Sequence, residues 1–245
     1  MQTLDKLVVG KHLKLMAYGP SGTGKTCFAA SFPGPMLYLD FDNKIESAAA
    51  YYAKDPEFLK KIKFQKFGPG ATNGADPVDL FNKLLAGLQQ SASDGKFPFK
   101  TVVLDSFTTF SKVLMSKILK DNPGIKRVNP ATPTMMDYGI FNNSFQPSLQ
   151  RLLALPCNVV CVGHVKTSQD EVTGEMVRQP LLSGQNADMV PILFDEVYKT
   201  FTEDKDGKVF YLARTAGPGA VTRTQIPGMP QVIHLGYKFI KEQLK

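Results

Sequence analysis

The amino-acid sequence predicts an α/β fold: a mainly parallel sheet with helices on both faces, extended near its C-terminal end by antiparallel hairpin strands. Short apolar runs alternate with helical patterns up to residue 164, and a strand, a glycine-rich loop and a helix open the series. Beyond residue 164 the pattern changes to short alternating segments separated by turns, which is the signature of hairpins.

Residues 13–18 form a short apolar strand that ends at Gly19, and 25–32 form a helix stopped by Pro33 and Gly34. A second buried strand, 36–40 (MLYLD), leads into a helix over 45–53. Asp55 and Asp76 each precede a proline, so a capping carboxylate and a first-turn proline start a helix at both, the second running to residue 91. The basic run Lys60, Lys61, Lys63 and Lys66 lies half on a solvated helix face. Residues 101–105 (TVVLD) make a third strand, followed by a helix over 109–120. A loop rich in Pro, Asn and Thr over 121–136 precedes a helix over 137–155 that Pro147 kinks or breaks. Residues 158–163 (NVVCVG) are a fourth strand. A hairpin over 165–179 turns at Thr173-Gly174, and a second pairs 196–202 with 208–214 around a turn at 204–207. No linker or charge run divides the 245 residues, so residues 1–245 read as one domain.

Apolar residues make up 43% of the chain and charged residues 21%, a globular balance that excludes disorder and coiled coil as classes. No window approaches the ~20 apolar residues that cross a bilayer. The N-terminal stretch also lacks an apolar leader core, so the expectation is a cytoplasmic protein with no membrane partner. Cysteines number three, which argues against a disulfide framework. Cys157 and Cys161 sit about 13 Å apart on one strand, at ~3.3 Å per residue, with His164 on the opposite parity, so they do not share a metal. The net charge of +7 is compatible with a polyanionic partner.

The segment Gly19, Pro20, Ser21, Gly22, Thr23, Gly24, Lys25, Thr26 matches G-x-x-x-x-G-K-[ST] where that pattern has meaning, between a strand and a helix. Its backbone N–H groups, continuing to Cys27, cradle phosphates at a helix N-terminus; Lys25 reaches the β- and γ-phosphates of ATP, and Thr26 ligates Mg2+. Asp105, leaving an apolar strand, is the carboxylate that holds magnesium beside Thr26. Asp42, after the second strand in LDFD, orients or deprotonates the attacking water; Glu46, one turn into the next helix, is the rival base. His164 closes the fourth strand, placed to contact the γ-phosphate. Apolar strands thus end at or near Gly19, Asp42, Asp105 and His164, and open α/β sheets bind ligands beyond the carboxyl ends of their strands.

With GPSGTGKT, LDFD, TVVLDS and a polar residue closing the fourth strand, the chain resembles the RecA-like recombinase ATPases over most of residues 12–226. DYG at 137–139, VGHV and FDEVYKTF make it similar to the small phage-encoded ATPases that keep only this core and serve single-strand annealing and recombination. It departs from the better-known recombinases in having Asp42 where they usually carry glutamate and His164 where they usually carry glutamine. The resemblance implies ATP hydrolysis, a homo-oligomer (filament or ring), single-stranded DNA as partner and a single-strand DNA-binding protein as a further one. It also implies cations acting in trans, for which Arg214 and Arg223, with Lys199 behind them, are the candidates. DNA would meet Lys126 and Arg127 in the first loop and Lys166 and Arg178 in the second, with aromatic help from Tyr138 or Phe141. Competing readings are a P-loop enzyme of another class, such as a small-molecule kinase, and a non-hydrolysing module that ATP switches.

Overall fold

The computed structural model describes residues 12–68, 70–169 and 174–244. The first eleven residues of the N-terminal stretch read above lie outside these, as does Thr173 of the expected turn. In chain order the first half comprises β1 (Lys14–Tyr18), α1 (Lys25–Ala30), β2 (Met36–Asp40), α2 (Ile45–Tyr51), α3 (Pro56–Leu59), β3 (Ile62–Lys66), α4 (Pro77–Ser93) and β4 (Thr101–Asp105). There follow α5 (Phe107–Asp121), α6 (Met135–Leu153), β5 (Asn158–Gly163), β6 (Val165–Gln169), β7 (Met176–Pro180) and α7 (Asn186–Met189). A 3-10 turn (Pro191–Leu193), β8 (Glu196–Lys205), β9 (Lys208–Arg214), β10 (Val232–His234) and α8 (Tyr237–Gln243) complete the series.

An eight-stranded sheet runs in the order β10-β9-β8-β1-β5-β4-β2-β3, and β6 and β7 form a separate hairpin. From β8 to β3 every neighbouring pair is parallel, while β9 and β10 add on antiparallel. This is the expected α/β architecture with C-terminal antiparallel strands. Parallel strands covered on both faces are apolar at every position, and alternate side chains feed opposite cores. In β5, Val159 and Cys161 join the core beneath α4, α5 and α6, whereas Val160 and Val162 join the one beneath α1 and α8. Both cysteines are core residues.

The helices present one apolar stripe each: Phe81, Leu85 and Leu88 on α4, Phe110, Leu114 and Ile118 on α5, Phe145, Leu149 and Leu152 on α6. Their aromatic rings meet under the sheet, Phe41 stacked on Phe67 at 4.2 Å and Phe81 against Phe110 at 4.6 Å. Truncating fully buried Phe81 removes a ring from the middle of this cluster. Phe81→Ala is expected to cost about 3 kcal/mol or more in urea unfolding, and a loss below about 1 kcal/mol would contradict this packing.

Several boundaries differ from the sequence expectation for local reasons. α5 begins at Phe107 because Ser106 caps it, its hydroxyl oxygen accepting the Thr109 N–H at 3.2 Å. α6 begins at Met135 because Thr134 and Asp137 form a capping box, and it continues past Pro147 as one helix, its buried stripe lying on both sides of the proline. The basic run ends on an edge strand, not a helix: Lys63 and Lys66 belong to β3. Charge on that edge discourages further strand pairing. The second hairpin is longer than expected, turning over Asp206 and Gly207 with both at positive φ (54° and 73°). β10 and α8 are not legible as elements in the sequence reading.

This topology positions the site. Tyr18 pairs with Gly163, Asp40 with Asp105 and Asp105 with Val162, so β1, β5, β4 and β2 end level at one edge. The strand that feeds the glycine loop is separated from the one ending in Asp105 by β5, whose last residue leads into His164.

Candidate functional site

The loop from Gly19 to Thr26 is built around left-handed glycines and a tight strand contact. Gly22 (φ 79°) and Gly24 (φ 80°) occupy backbone conformations that side chains disfavour. A Cβ on Gly19 would lie 2.1 Å from the Thr200 hydroxyl oxygen, so β8 presses directly on the loop. The Thr23 hydroxyl donates to the Pro20 carbonyl at 2.9 Å and also meets the Thr200 hydroxyl at 2.7 Å. Lys25 Nζ donates to the carbonyls of Gly19 (3.0 Å) and Pro20 (2.6 Å), which holds the ammonium at the mouth of the loop. Burial lowers the pKa of Lys25, and the carboxylates of Asp105 and Asp42 act against that.

Asp105 ends β4 and is 3% exposed. Its Oδ2 accepts the Thr26 hydroxyl at 2.8 Å and the Tyr38 hydroxyl at 2.5 Å. Burial pushes its carboxyl up to about 6, against the pull of those two hydroxyls. Thr26 and Asp105 together are a hard-oxygen donor pair at a helix N-terminus, the chemistry that Mg2+ requires. Tyr38 is fully buried and was not singled out in the sequence. Its strand parity was the available signal, since it sits opposite Val103 across β2 and β4, two positions from the Asp40–Asp105 pair.

Asp42 lies just past β2, its N–H donating to the Asp105 carbonyl at 3.2 Å. Its carboxylate accepts from Ser106 Oγ at 3.0 Å, from Thr109 Oγ1, and from His164 Nε2 at 3.2 Å. Burial alone would raise its pKa; the hydrogen bonds from His164, Thr109 and Ser106 outweigh that and hold it below the ordinary carboxylate value. Glu46, the rival base, forms an ion pair with Lys66 on β3 and is absent from the cavity wall. Asp40 belongs to the fold: it is buried, and its carboxylate accepts the N–H groups of Lys44 and Ile45 where α2 begins.

Lys25, Thr26, Asp42, Asp105 and His164 line one cavity of about 420 Å3, a size that suits a nucleotide. The lining also has an apolar and aromatic part, formed by Tyr51 at the end of α2, Tyr52 just after it, Tyr211 of β9 and Leu235. Tyr51 is 70% exposed and Tyr211 46%, so flat faces are available there to a base. Tyr211 comes from a strand remote in the chain, and no local pattern marks it.

The expected DNA-facing and trans-acting cations are elsewhere. Arg127 is buried against Asp137 in a two-point ion pair (3.0 and 2.5 Å), its side chain 5% exposed. It pins the 121–136 loop to α6 and offers no free charge to a phosphate, a correction to the expectation for this residue. Phe141 likewise is core, leaving Tyr138 as the partly exposed aromatic on that helix. Lys126 is exposed; Lys166 donates to the Leu182 carbonyl at 2.9 Å. Lys199 and Arg214 face each other across β8 and β9. Burial, with Arg178 and Arg214 nearby, lowers the pKa of Lys199. Arg223 donates to the Ile192 carbonyl at 3.2 Å. None of these lines the cavity.

A family model described as an AAA domain matches residues 11–224. No curated protein matches the sequence. Among solved structures, a KaiC-like protein from the hyperthermophilic archaeon Pyrococcus horikoshii OT3 is similar at 12% identity and a TM-score of 0.43, over 82% of this chain and 76% of that one.

Proposed function

The chain belongs to the AAA domain family, and on that premise we propose that it binds ATP with Mg2+, hydrolyses it, and uses the cycle to bind single-stranded DNA in annealing or recombination. The observation that carries the reading is the convergence of Lys25, Thr26, Asp42, Asp105 and His164 on one cavity floored by the glycine loop. In this reading the loop N–H groups and Lys25 grip the phosphates, and Thr26 and Asp105 hold the metal. Bound magnesium supplies neutralisation of the charge that builds on the phosphate oxygens. Asp42 orients the attacking water, and His164 meets the γ-phosphate side of the cavity. Tyr51 and Tyr211 offer exposed ring faces on which the base can stack.

The oligomer and the DNA belong to the same proposal. Like charges set directly opposite across two strands are unfavourable on their own. The Lys199–Arg214 pair, with Arg178 close by, therefore supports an anionic partner from outside the chain, for which a neighbouring copy's nucleotide is our reading. The RecA-type resemblance supports a phage recombination role in the host cytoplasm, with a single-strand DNA-binding protein as a companion. Among the described residues no helix is long and apolar enough to cross a membrane.

The test is ATP hydrolysis with and without single-stranded DNA, alongside DNA binding at several salt concentrations. Single strands should stimulate turnover. With Arg127 withdrawn, Lys126, Lys166 and Arg178 remain, and at roughly −0.7 per phosphate on single strands the slope of log K against log salt should lie near −2. Lys126→Ala should flatten it while Arg127→Ala should act through loop stability instead. Stimulation by a small phosphate acceptor but not by DNA would favour a kinase.

A further inference from the structure

Three elements that belong to different motifs are tied together by a single helical turn. Ser106 follows Asp105 and caps α5, whose first turn carries Thr108 and Thr109. Thr108 Oγ1 accepts the backbone N–H of His164 at 3.0 Å. The Asp105 carbonyl accepts the N–H groups of Phe41 (2.5 Å) and Asp42 (3.2 Å), which fixes the backbone entering the loop after β2. The side chain of Asp42 is then caught from the same turn: Oδ1 takes hydrogen bonds from Ser106 and Thr109, and Oδ2 faces His164.

From this juxtaposition we propose that Thr109 is a positioning residue for the reaction, holding the Asp42 carboxylate beside His164 and away from the lysines of the same cavity. The inference rests on the reading of Asp42 as the group that handles the attacking water. A carboxylate that is 14% exposed needs donors, and it has a choice of them. Lys25 and Lys44 line the same cavity, and swinging toward either would form an ion pair that misplaces the base, in the case of Lys25 also neutralising the ammonium read as gripping phosphate. Ser106 is the weaker anchor, because its hydroxyl also serves as the helix cap and lies 3.3 Å from Thr109 Oγ1, a second acceptor for its proton. The Thr109 hydroxyl donates to Asp42, and its branched Cβ stiffens the rotamer that aims it there. The arrangement also links base and sensor: Thr108 holds the backbone of His164, and Thr109 holds the carboxylate that its ring meets.

The test compares the parent with Thr109→Val, which keeps shape and loses the donor, and Thr109→Ser, which keeps the donor. Two readouts are used: kcat and KM for ATP, and the imidazole nitrogen resonances of histidine-labelled protein. With only three histidines in the chain, His164 is assignable by loss of its signal in His164→Gln. Thr109→Val should lower kcat on the order of ten- to hundred-fold with KM and melting temperature nearly unchanged, as displacement of a reacting group does. It should also shift the His164 resonance and leave His234 in place. Thr109→Ser should recover kcat to within about three-fold of the parent and return the resonance. The proposal is overturned if Thr109→Val leaves the His164 resonance unmoved, whatever its turnover, or if serine is as impaired as valine. A parent without turnover would instead sink the ATPase reading, and the resonance would still decide whether Thr109 holds Asp42.

Discussion

Lys25→Ala is expected to abolish tight ATP binding and to reduce turnover by on the order of 10³-fold or more, with little change in the melting temperature of the nucleotide-free protein. The side chain is held by two loop carbonyls whose partial negative charge keeps the ammonium in the loop. Replacing it removes the charge proposed to meet the terminal phosphates, at a site where partial burial strengthens its field. The fold should tolerate the loss, because α1 is anchored by Phe28, Ala29 and Ala30 in the core and by Thr23 at its entry. Nucleotide titration and unfolding of the same sample separate the two effects. A variant that melted far below the parent would mean that Lys25 belongs to the fold more than to the ligand.

The second large effect has opposite signs for stability and function. Asp105→Asn should lose magnesium-dependent hydrolysis by at least on the order of 10²-fold, since the carboxylate that would hold the metal is gone. Without nucleotide the same change should stabilise the protein. Burial lifts the Asp105 carboxyl from the ordinary 3.8 to about 6, so the folded state grips the proton more tightly than the unfolded chain does. Its contribution to folding is therefore fully present below about pH 3.8 and is lost as pH rises through about 6. At pH 7.5 the ionised carboxylate counts against the fold, and the neutral amide, still able to accept from Tyr38 and Thr26, should be more stable by on the order of 2 kcal/mol. The gap should close on acidification toward pH 4. Equal melting temperatures at pH 7.5 would show that Asp105 is not strained by burial.

The two effects share an origin that the sequence displays only in part. The glycine loop and TVVLD are local patterns, so their chemistry is legible in consecutive residues: a left-handed turn needs Gly22 and Gly24, and a carboxylate at a strand end needs Asp105. The alternation of apolar runs also conveys the parallel sheet, because burial on both faces leaves the interior of β2 and of β5 without a charged position, the carboxylate of β2 coming only at its last residue. What pattern alone does not convey is side-chain partnership across the sheet. Tyr38 reads as one more apolar strand residue, yet its hydroxyl ends on Asp105. Thr109 falls inside what reads as the start of a helix, and only the cap at Ser106 turns it toward Asp42. Arg127 reads as a loop cation because Asp137, its buried partner, lies ten residues away across a helix start. Tyr211 reaches the cavity because the β8–β9 hairpin, itself legible in its turn, is docked on β1 through β8, a long-range parallel pairing with no local signature.

Calorimetric titration of the parent chain and Lys25→Ala with ATP, in magnesium and again in excess chelator, decides whether the glycine loop holds a magnesium nucleotide. Binding to the parent should be saturable, strongest with magnesium, weakened by the chelator and lost in Lys25→Ala. Absence of binding to the parent, or binding of equal strength to both proteins, would contradict it.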